Sequence, residues 1–154
     1  MYSYRIWQPD DLPWLFHAAA AGAWESASDE ERAAAAPQLI ASGAQQLLQS
    51  VLSAGTGTAI IATAQGGPVG FVLFAVGPDS TTDEPNGYLM SGWVDPQHRR
   101  RGIFRQLHAL AERILAQIGI RKAKICTGLH NQAVVNLARQ AGYAPEGLIG
   151  IKEL

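Results

Sequence analysis

The sequence has little cysteine, little excess charge and no long apolar run. Cys126 is the one cysteine among 154 residues, so an intramolecular disulfide is impossible and a reducing compartment is expected. The formal net charge is −1, whereas domains that coat nucleic acid are usually strongly basic. The chain contains no GxxxxGK nucleotide motif and no HExxH or CxxC metal spacing. We therefore expect no metal, no triphosphate-driven chemistry and no nucleic-acid partner.

The chain also lacks the segments that direct proteins into membranes. The stretch YSYRIWQPDD near the start has no basic leader and no apolar core. The longest apolar runs, such as VGFVLFAV over residues 69–76, are far shorter than the roughly 20 residues that a membrane helix needs. We expect a cytoplasmic protein with no membrane partner. With 47% apolar and 16% charged residues, residues 1–154 are predicted to form a single globular domain.

Apolar periodicity and turn residues predict the order of the elements. Asp11 is placed to cap a first helix, and Ser28 with Glu31 forms a capping-box pattern before a second helical region that Pro37 interrupts. The predicted strands cover residues 2–8, 58–64, 69–76, 88–94, 122–129 and 147–154, and two further helices follow residues 102 and 131. This order predicts an α/β (α+β) fold with a single mixed, mostly antiparallel sheet flanked by helices on both faces.

A turn rich in arginine separates a predicted strand from a helix, in the stretch WVDPQHRRRGIF. The strand ends at Val94, Pro96 blocks the sheet ladder, and the helix begins near Gly102. The first N–H groups of a helix lack partners and carry partial positive charge, so this turn suits an anion such as a diphosphate. Two alternatives are a solvated charged turn and a nucleic-acid patch, and the second is less favoured because no other basic face accompanies it.

The same stretch resembles motif A of the GNAT superfamily of N-acetyltransferases, V-x-P-x-x-[QR]-x-x-G-x-[GA]. Val94, Pro96, Arg99 and Gly102 match the motif, whereas Phe104 stands where the family prefers a small residue.

Downstream, NQAVVNLARQAGY resembles motif B of that family, N-x-x-A-x-x-L-Y-x-x-x-G-F. Asn131, Leu137, Gly142 and Tyr143 match it or substitute closely. The predicted order of elements agrees with the GNAT fold over essentially the whole chain.

The resemblance implies acetyl-CoA as co-substrate, bound between two splayed strands. It implies that backbone groups at the end of the strand hold the pantetheine arm, that amides of residues 100–105 hold the pyrophosphate, and that arginine side chains meet the nucleotide phosphates. The implied binding residues are Trp93, Val94, Arg99, Arg100, Arg101, Gly102, Ile103, Phe104, Arg105 and Asn131.

The proton-transfer groups that the family habitually carries are missing. The strand YLMSGWV has no carboxylate, and the usual motif B tyrosine falls on Ala138. The substitutes are Cys126, expected mid-strand; His130, just before the last helix; and Tyr88 and Ser91, near the acceptor side. Each has a structural interpretation as well, since a lone cysteine commonly packs in the core and a helix-flanking histidine is commonly solvated.

Acidic and aromatic residues near the predicted acceptor side have the same two interpretations. The carboxylates attract an amine or serve as helix caps, and the tryptophans line an apolar pocket or pack in the core. His108, on the long helix, is expected to be exposed. The residues concerned are Glu25, Asp29, Glu30, Glu31, Asp83, Glu84, Trp7, Trp14, Trp24 and Trp93.

The sequence thus favours an N-acetyltransferase that moves an acetyl group from acetyl-CoA to a primary amine by direct attack in a ternary complex. The acceptor is a small molecule or a peptide, and a homodimer is compatible with the resemblance. The alternative is a non-catalytic acyl-CoA-binding or regulatory domain on the same fold.

Overall fold

The computed structural model describes residues 1–147, 149, 150, 152 and 154, and within them ten helices and strands follow the predicted order. Two short 3-10 turns, Pro9–Asp11 and Pro96–His98, precede α1 and α4. The bounds are β1 Ser3–Ile6, α1 Leu12–Ser26, α2 Asp29–Ala34, α3 Pro37–Ala54, β2 Gly57–Ala64, β3 Gly67–Pro78, β4 Pro85–Val94, α4 Ile103–Gln117, β5 Ala123–Ile125 and α5 Gln132–Gln140.

The strands form one sheet in the order β1-β2-β3-β4-β5. The pairs from β1 to β4 are antiparallel, and β5 joins β4 in parallel. Gln65 and Gly66 both have positive φ, 51° and 83°, as the tight turn between β2 and β3 requires. The predicted mixed, mostly antiparallel sheet is confirmed.

Helices cover both faces of the sheet, because successive residues of a strand point to opposite sides. Phe71 and Leu73 of β3 pack in one core with α1 and α3. Val72 and Phe74 pack in a second core with α4. The prediction of helices on both faces is therefore confirmed.

Most of the residues predicted to begin helices do so in the structure. Ser28 and Glu31 form the expected capping box at the start of α2, and α3 begins at Pro37. Asp11 occupies the N-cap position of α1, as predicted, but its side chain makes no capping hydrogen bond to that helix. Its carboxylate instead accepts hydrogen bonds from Arg5, at 2.6 and 2.8 Å, and from the backbone N–H of Gln8 at 2.7 Å. The Arg5 guanidinium lowers the pKa of Asp11.

The strand predicted over residues 122–129 is shorter than expected, since β5 ends at Ile125. Cys126 follows the strand and is exposed, so neither its placement in mid-strand nor its interpretation as a core residue is correct. The closing strand predicted over residues 147–154 includes positions 148, 151 and 153, which lie outside the described residues. Every helix in the described part of the chain is too short or too polar to cross a membrane.

Candidate active site

Strands β4 and β5 pair only at one end and then part. Three residue pairs join them, the last between Leu89 and Ile125, while β4 continues to Val94. On its other side, β4 pairs Leu89 with Phe74 and Ser91 with Leu73, so that Met90 is an extra, bulged residue. A bulge bends its strand. Because β5 stops where this bulge begins, the edge of β4 from Met90 onward faces a wedge-shaped opening.

The free edge of β4 leads directly into a row of backbone N–H groups. Arg100 and Gly102 both have positive φ, 62° and 77°, and successive left-handed and right-handed residues direct their N–H groups into one concavity. Within the described part of the chain, no backbone N–H from Arg100 through Arg105 has a hydrogen-bond partner, and the ladder of α4 begins with Gln106 donating to Gly102. Six successive free donors at a helix N-terminus form an anion cradle.

The arginine side chains beside the cradle point in different directions. Arg99 Nε donates to the Val94 carbonyl at 2.8 Å. Its Nη2 contacts both carboxylate oxygens of Glu25, at 2.9 and 2.7 Å. Arg101 donates to the Tyr2 hydroxyl at 3.1 Å. Arg99 is thus directed toward α1 and Arg101 toward β1. The other two arginines here, Arg100 and Arg105, are exposed and have no side-chain partner among the described residues.

The end of helix α1 is fixed against the free part of β4. A Cβ on Gly22 would lie 3.2 Å from the Gly92 carbonyl oxygen, so helix and strand meet almost backbone to backbone. Trp93 Nε1 donates to Glu25 at 3.1 Å, and the guanidinium of Arg99 lies 6.0 Å from the centre of the Trp93 ring. Glu25, Trp93 and Arg99 therefore connect α1 to the cradle.

This architecture matches a known family in sequence as well as in shape. The sequence profile described as the Acetyltransferase (GNAT) family matches residues 11–143. The chain belongs to the GNAT acetyltransferase family. The fold and the acyltransferase class expected from the two motifs are thereby confirmed.

Solved structures show the same fold at low sequence identity. A putative acetyl transferase from Pyrococcus furiosus is 19% identical with a TM-score of 0.85, and each chain is covered over 100% of its length. A GCN5-related N-acetyltransferase from Ralstonia eutropha JMP134 is 21% identical with a TM-score of 0.78, over 99% of both chains. The aminoglycoside N-acetyltransferase AAC(6')-Iy in complex with CoA is 18% identical with a TM-score of 0.75, over 99% of this chain and 95% of that one. No curated protein matches this sequence.

Helix α5 begins, in this GNAT domain, on the far side of the opening. Asn131 caps it by accepting from the Val134 N–H at 3.5 Å, as its position in motif B predicts. His130 Nε2 lies 2.6 Å from the carbonyl oxygen of Ser26, which ties the last turn of α1 to the loop between β5 and α5. Cys126 is exposed at the start of that loop. His130 and Cys126 thus flank the opening, and His130 already has a structural partner.

Tyr88 and Ser91 lie on the face of β4 that carries Trp93, because their partners Ala75 and Leu73 belong to the core beneath α1. The Tyr88 hydroxyl donates to the Pro78 carbonyl at 2.8 Å, away from the free edge. Ser91 is half-buried just after the bulge. Of these two candidates, Ser91 is the one at the opening.

The family's usual tyrosine position, Ala138, contributes no acid to the site. The nearby Tyr143 does not replace it, because its hydroxyl donates to Glu112 of α4 at 2.7 Å. Burial, together with that carboxylate, raises the pKa of Tyr143 well above its usual value. Tyr143 therefore fixes α5 against α4.

The prediction that His108 is exposed is wrong. The residue is only 6% exposed, and burial lowers its pKa to about 4. It lies on the buried stripe of α4 with Phe104, Ala111 and Leu115, at spacings of four, three and four residues. This helical spacing of buried positions is the feature of the sequence that predicts the burial of His108.

An open groove of about 450 Å³ lies beside the end of α1. Its wall is apolar except for Ser26 and the capping-box carboxylate of Glu31. Trp24 is 38% exposed nearby, whereas Trp7 and Trp14 pack on the core beneath α1. The remaining predicted carboxylates are exposed at the start of α2 and in the loop between β3 and β4; they are Asp29, Glu30, Asp83 and Glu84.

Proposed function

We propose that this GNAT acetyltransferase moves an acetyl group from acetyl-CoA to the primary amine of a small-molecule or peptide acceptor, within a ternary complex. The observation that carries the proposal is the free edge of β4 running into six unpartnered N–H groups. A linear molecule with amides along its length and a pyrophosphate at one end fits that arrangement.

The residues present fit acyl-CoA in the following way. The N–H groups of residues 100–105 would hold the pyrophosphate, because an orphaned donor row gains most from a doubly charged acceptor. Arg100 and Arg105, which are exposed, would add charge-assisted bonds. The backbone groups of Trp93 and Val94 that face the opening would hold the pantetheine arm. Arg99 is proposed to act indirectly, since its guanidinium already fixes Glu25 and the Val94 carbonyl.

The chemistry requires a neutral amine and a stabilised oxyanion. Acetyl-CoA would supply a thioester whose carbonyl carbon the amine nitrogen attacks. A C–N bond would form, the C–S bond would break, and the CoA thiolate would leave and take up a proton from water. A backbone N–H on the free edge of β4 would donate to the carbonyl oxygen. A free amine with a pKa near ~10.4 is mostly protonated at pH 7. Because Glu25 is paired with Arg99 and β4 carries no carboxylate, we infer that the amine proton leaves through water.

The surroundings of the opening favour a cationic acceptor. The end of α1 and the start of α2 carry Glu25, Asp29, Glu30 and Glu31. Arg99 pairs with Glu25 and Arg32 with Asp29, which leaves Glu30 and Glu31 without a cationic partner among the described residues. AAC(6')-Iy, which shares this fold, is an aminoglycoside N-acetyltransferase. A polycationic amine is therefore a reasonable first acceptor class to screen.

The test is acetyl-CoA binding measured by calorimetry and thermal shift. Saturation at a hundred times the dissociation constant stabilises a fold by about 2.7 kcal/mol. We expect Arg100→Glu and Arg105→Glu to weaken binding, and Arg113→Glu, an exposed residue farther along α4, to leave it unchanged. Absence of binding at millimolar acetyl-CoA would refute the proposal.

A second measurement separates catalysis from binding alone. The absent strand carboxylate and the alanine at position 138 favour a non-catalytic acyl-CoA-binding domain as the second candidate. Release of free CoA thiol with a panel of amines establishes transfer. Binding without thiol release above the acceptor-free rate for every amine would establish the second candidate.

A further inference from the structure

We propose that the imidazole of His108 hydrogen-bonds an amide of the pantetheine arm of acyl-CoA where β4 and β5 part. This inference rests on the proposed function, because it assigns one contact within that site.

The position of His108 follows from how α4 lies over β4. A Cβ on Gly92 would be 2.7 Å from Cε2 of Phe104, and one on Gly87 would collide with Leu115. Eleven helical residues and five strand residues both span about 16 Å. Helix and strand therefore run side by side in opposite directions over this whole length.

Interpolation between these two contacts places His108 at the level of the bulge. It lies four residues, or about 6 Å, beyond Phe104, and the same distance along β4 reaches Met90. The last residues that join β4 to β5 are Leu89 and Ile125. The imidazole is thus beside the point where the opening begins.

His108 lacks a polar partner in spite of its burial. Its Nδ1 is fully buried and has no hydrogen-bond partner among the described residues. The Phe104 ring lies against the imidazole with the ring centres 4.5 Å apart, and Phe104 is only half-buried. Rotation of this one ring would uncover the imidazole for an incoming ligand. A buried polar atom with no partner is costly and calls for an explanation.

An amide of the arm is the group that this arrangement suits. The cradle lies at the first turn of α4, and His108 is one turn farther along the same helix. A chain anchored by its pyrophosphate and lying along the edge of β4 therefore passes the imidazole. Each amide offers both an N–H and a carbonyl oxygen, so either tautomer of His108 finds its complement.

The experiment compares two ligands on three proteins. CoA carries the arm, whereas adenosine 3′,5′-bisphosphate lacks it. For His108→Leu, we expect calorimetry to show about five-fold weaker CoA binding and unchanged bisphosphate binding. The same variant should melt about 2–4 °C higher without ligand at pH 7, because an unpartnered polar group has left the core. His108→Asn, which keeps a polar atom near the position of Nδ1, should retain most of the CoA affinity.

Nitrogen NMR of the imidazole gives a readout that is independent of stability. The ¹⁵N resonances of His108 should move with CoA and stay in place with the bisphosphate. Equal CoA affinity for wild type and His108→Leu, or equal loss for both ligands, would overturn the proposal. If the wild type binds neither CoA nor the bisphosphate, the proposed function itself is refuted.

Discussion

The buried His108 predicts a specific loss of stability in mild acid. Burial lowers its pKa to about 4 in the folded protein, whereas an unfolded histidine titrates near ~6.5. Between these values the unfolded chain binds a proton that the folded chain does not. Stability is therefore complete above pH 7 and declines as the pH falls through 6.5 toward 4.

The size of the effect follows from the separation of the two pKa values. Proton linkage at this one site costs roughly 1 kcal/mol at pH 5.5 and roughly 2–3 kcal/mol at pH 4.5. Urea unfolding at pH 7.5, 5.5 and 4.5, with a constant m-value, measures the free energy of unfolding at each pH. His108→Leu should remove this part of the pH dependence.

His130→Gln is the matched control, because it replaces an exposed histidine and should leave the decline intact. An equally steep decline in His108→Leu and in the wild type would show that His108 is not the residue responsible. A decline that begins only below pH 4 would point to carboxylates instead.

Three further predictions concern packing and charge. Gly92→Ala should lower the free energy of unfolding by about 1–3 kcal/mol, because the new Cβ meets the Phe104 ring at 2.7 Å. In a Phe104→Ala background the same substitution should cost less. If the effects of the two substitutions on the free energy of unfolding simply add, the contact is contradicted. Leu107→Ala, at a fully buried position, should cost about 3 kcal/mol in urea unfolding, and a cost under 1 kcal/mol would mean that the site is loosely packed. Asp79 has its pKa lowered chiefly by a hydrogen bond from Lys124, so its contribution to stability is present above pH 4 and lost below it. Asp79→Asn should accordingly flatten the acid limb of a thermal-shift profile below pH 4, and an unchanged limb would rule out this pair as its cause.

Local signals predicted much of the fold. The capping box at Ser28, Pro37 and the turn at Gln65 and Gly66 each act through their own backbone, so the elements that they bound were placed correctly. Asp11 lies at the predicted N-cap position, but the partner of its carboxylate was not predictable, because two were possible. The sequence does not show that Arg5, across the turn, wins over the helix N-terminus.

The candidate site was predicted only as far as backbone geometry decides it. The unpartnered N–H row follows from a strand, a turn and a helix in succession, which the sequence displays. The direction of Arg99 does not, because its partner Glu25 is 74 residues away in the chain. The residue at which β5 ends could not be predicted from the sequence either, since it depends on the bulge at Met90 and on the paths of two strands.

Phe104 is larger than the residue that the family motif prefers, and its contact with Gly92 explains how the fold accommodates it. A large side chain beside an anion cradle raises the question of whether it blocks the cradle. Here the ring lies over Gly92 and against His108, along the side of α4 that faces the sheet. Any larger residue at position 92 would push the ring away from the strand, whereas glycine provides its space. The N–H groups of the cradle are consequently left free, and the large residue in the motif and the small residue in the strand form one packing unit.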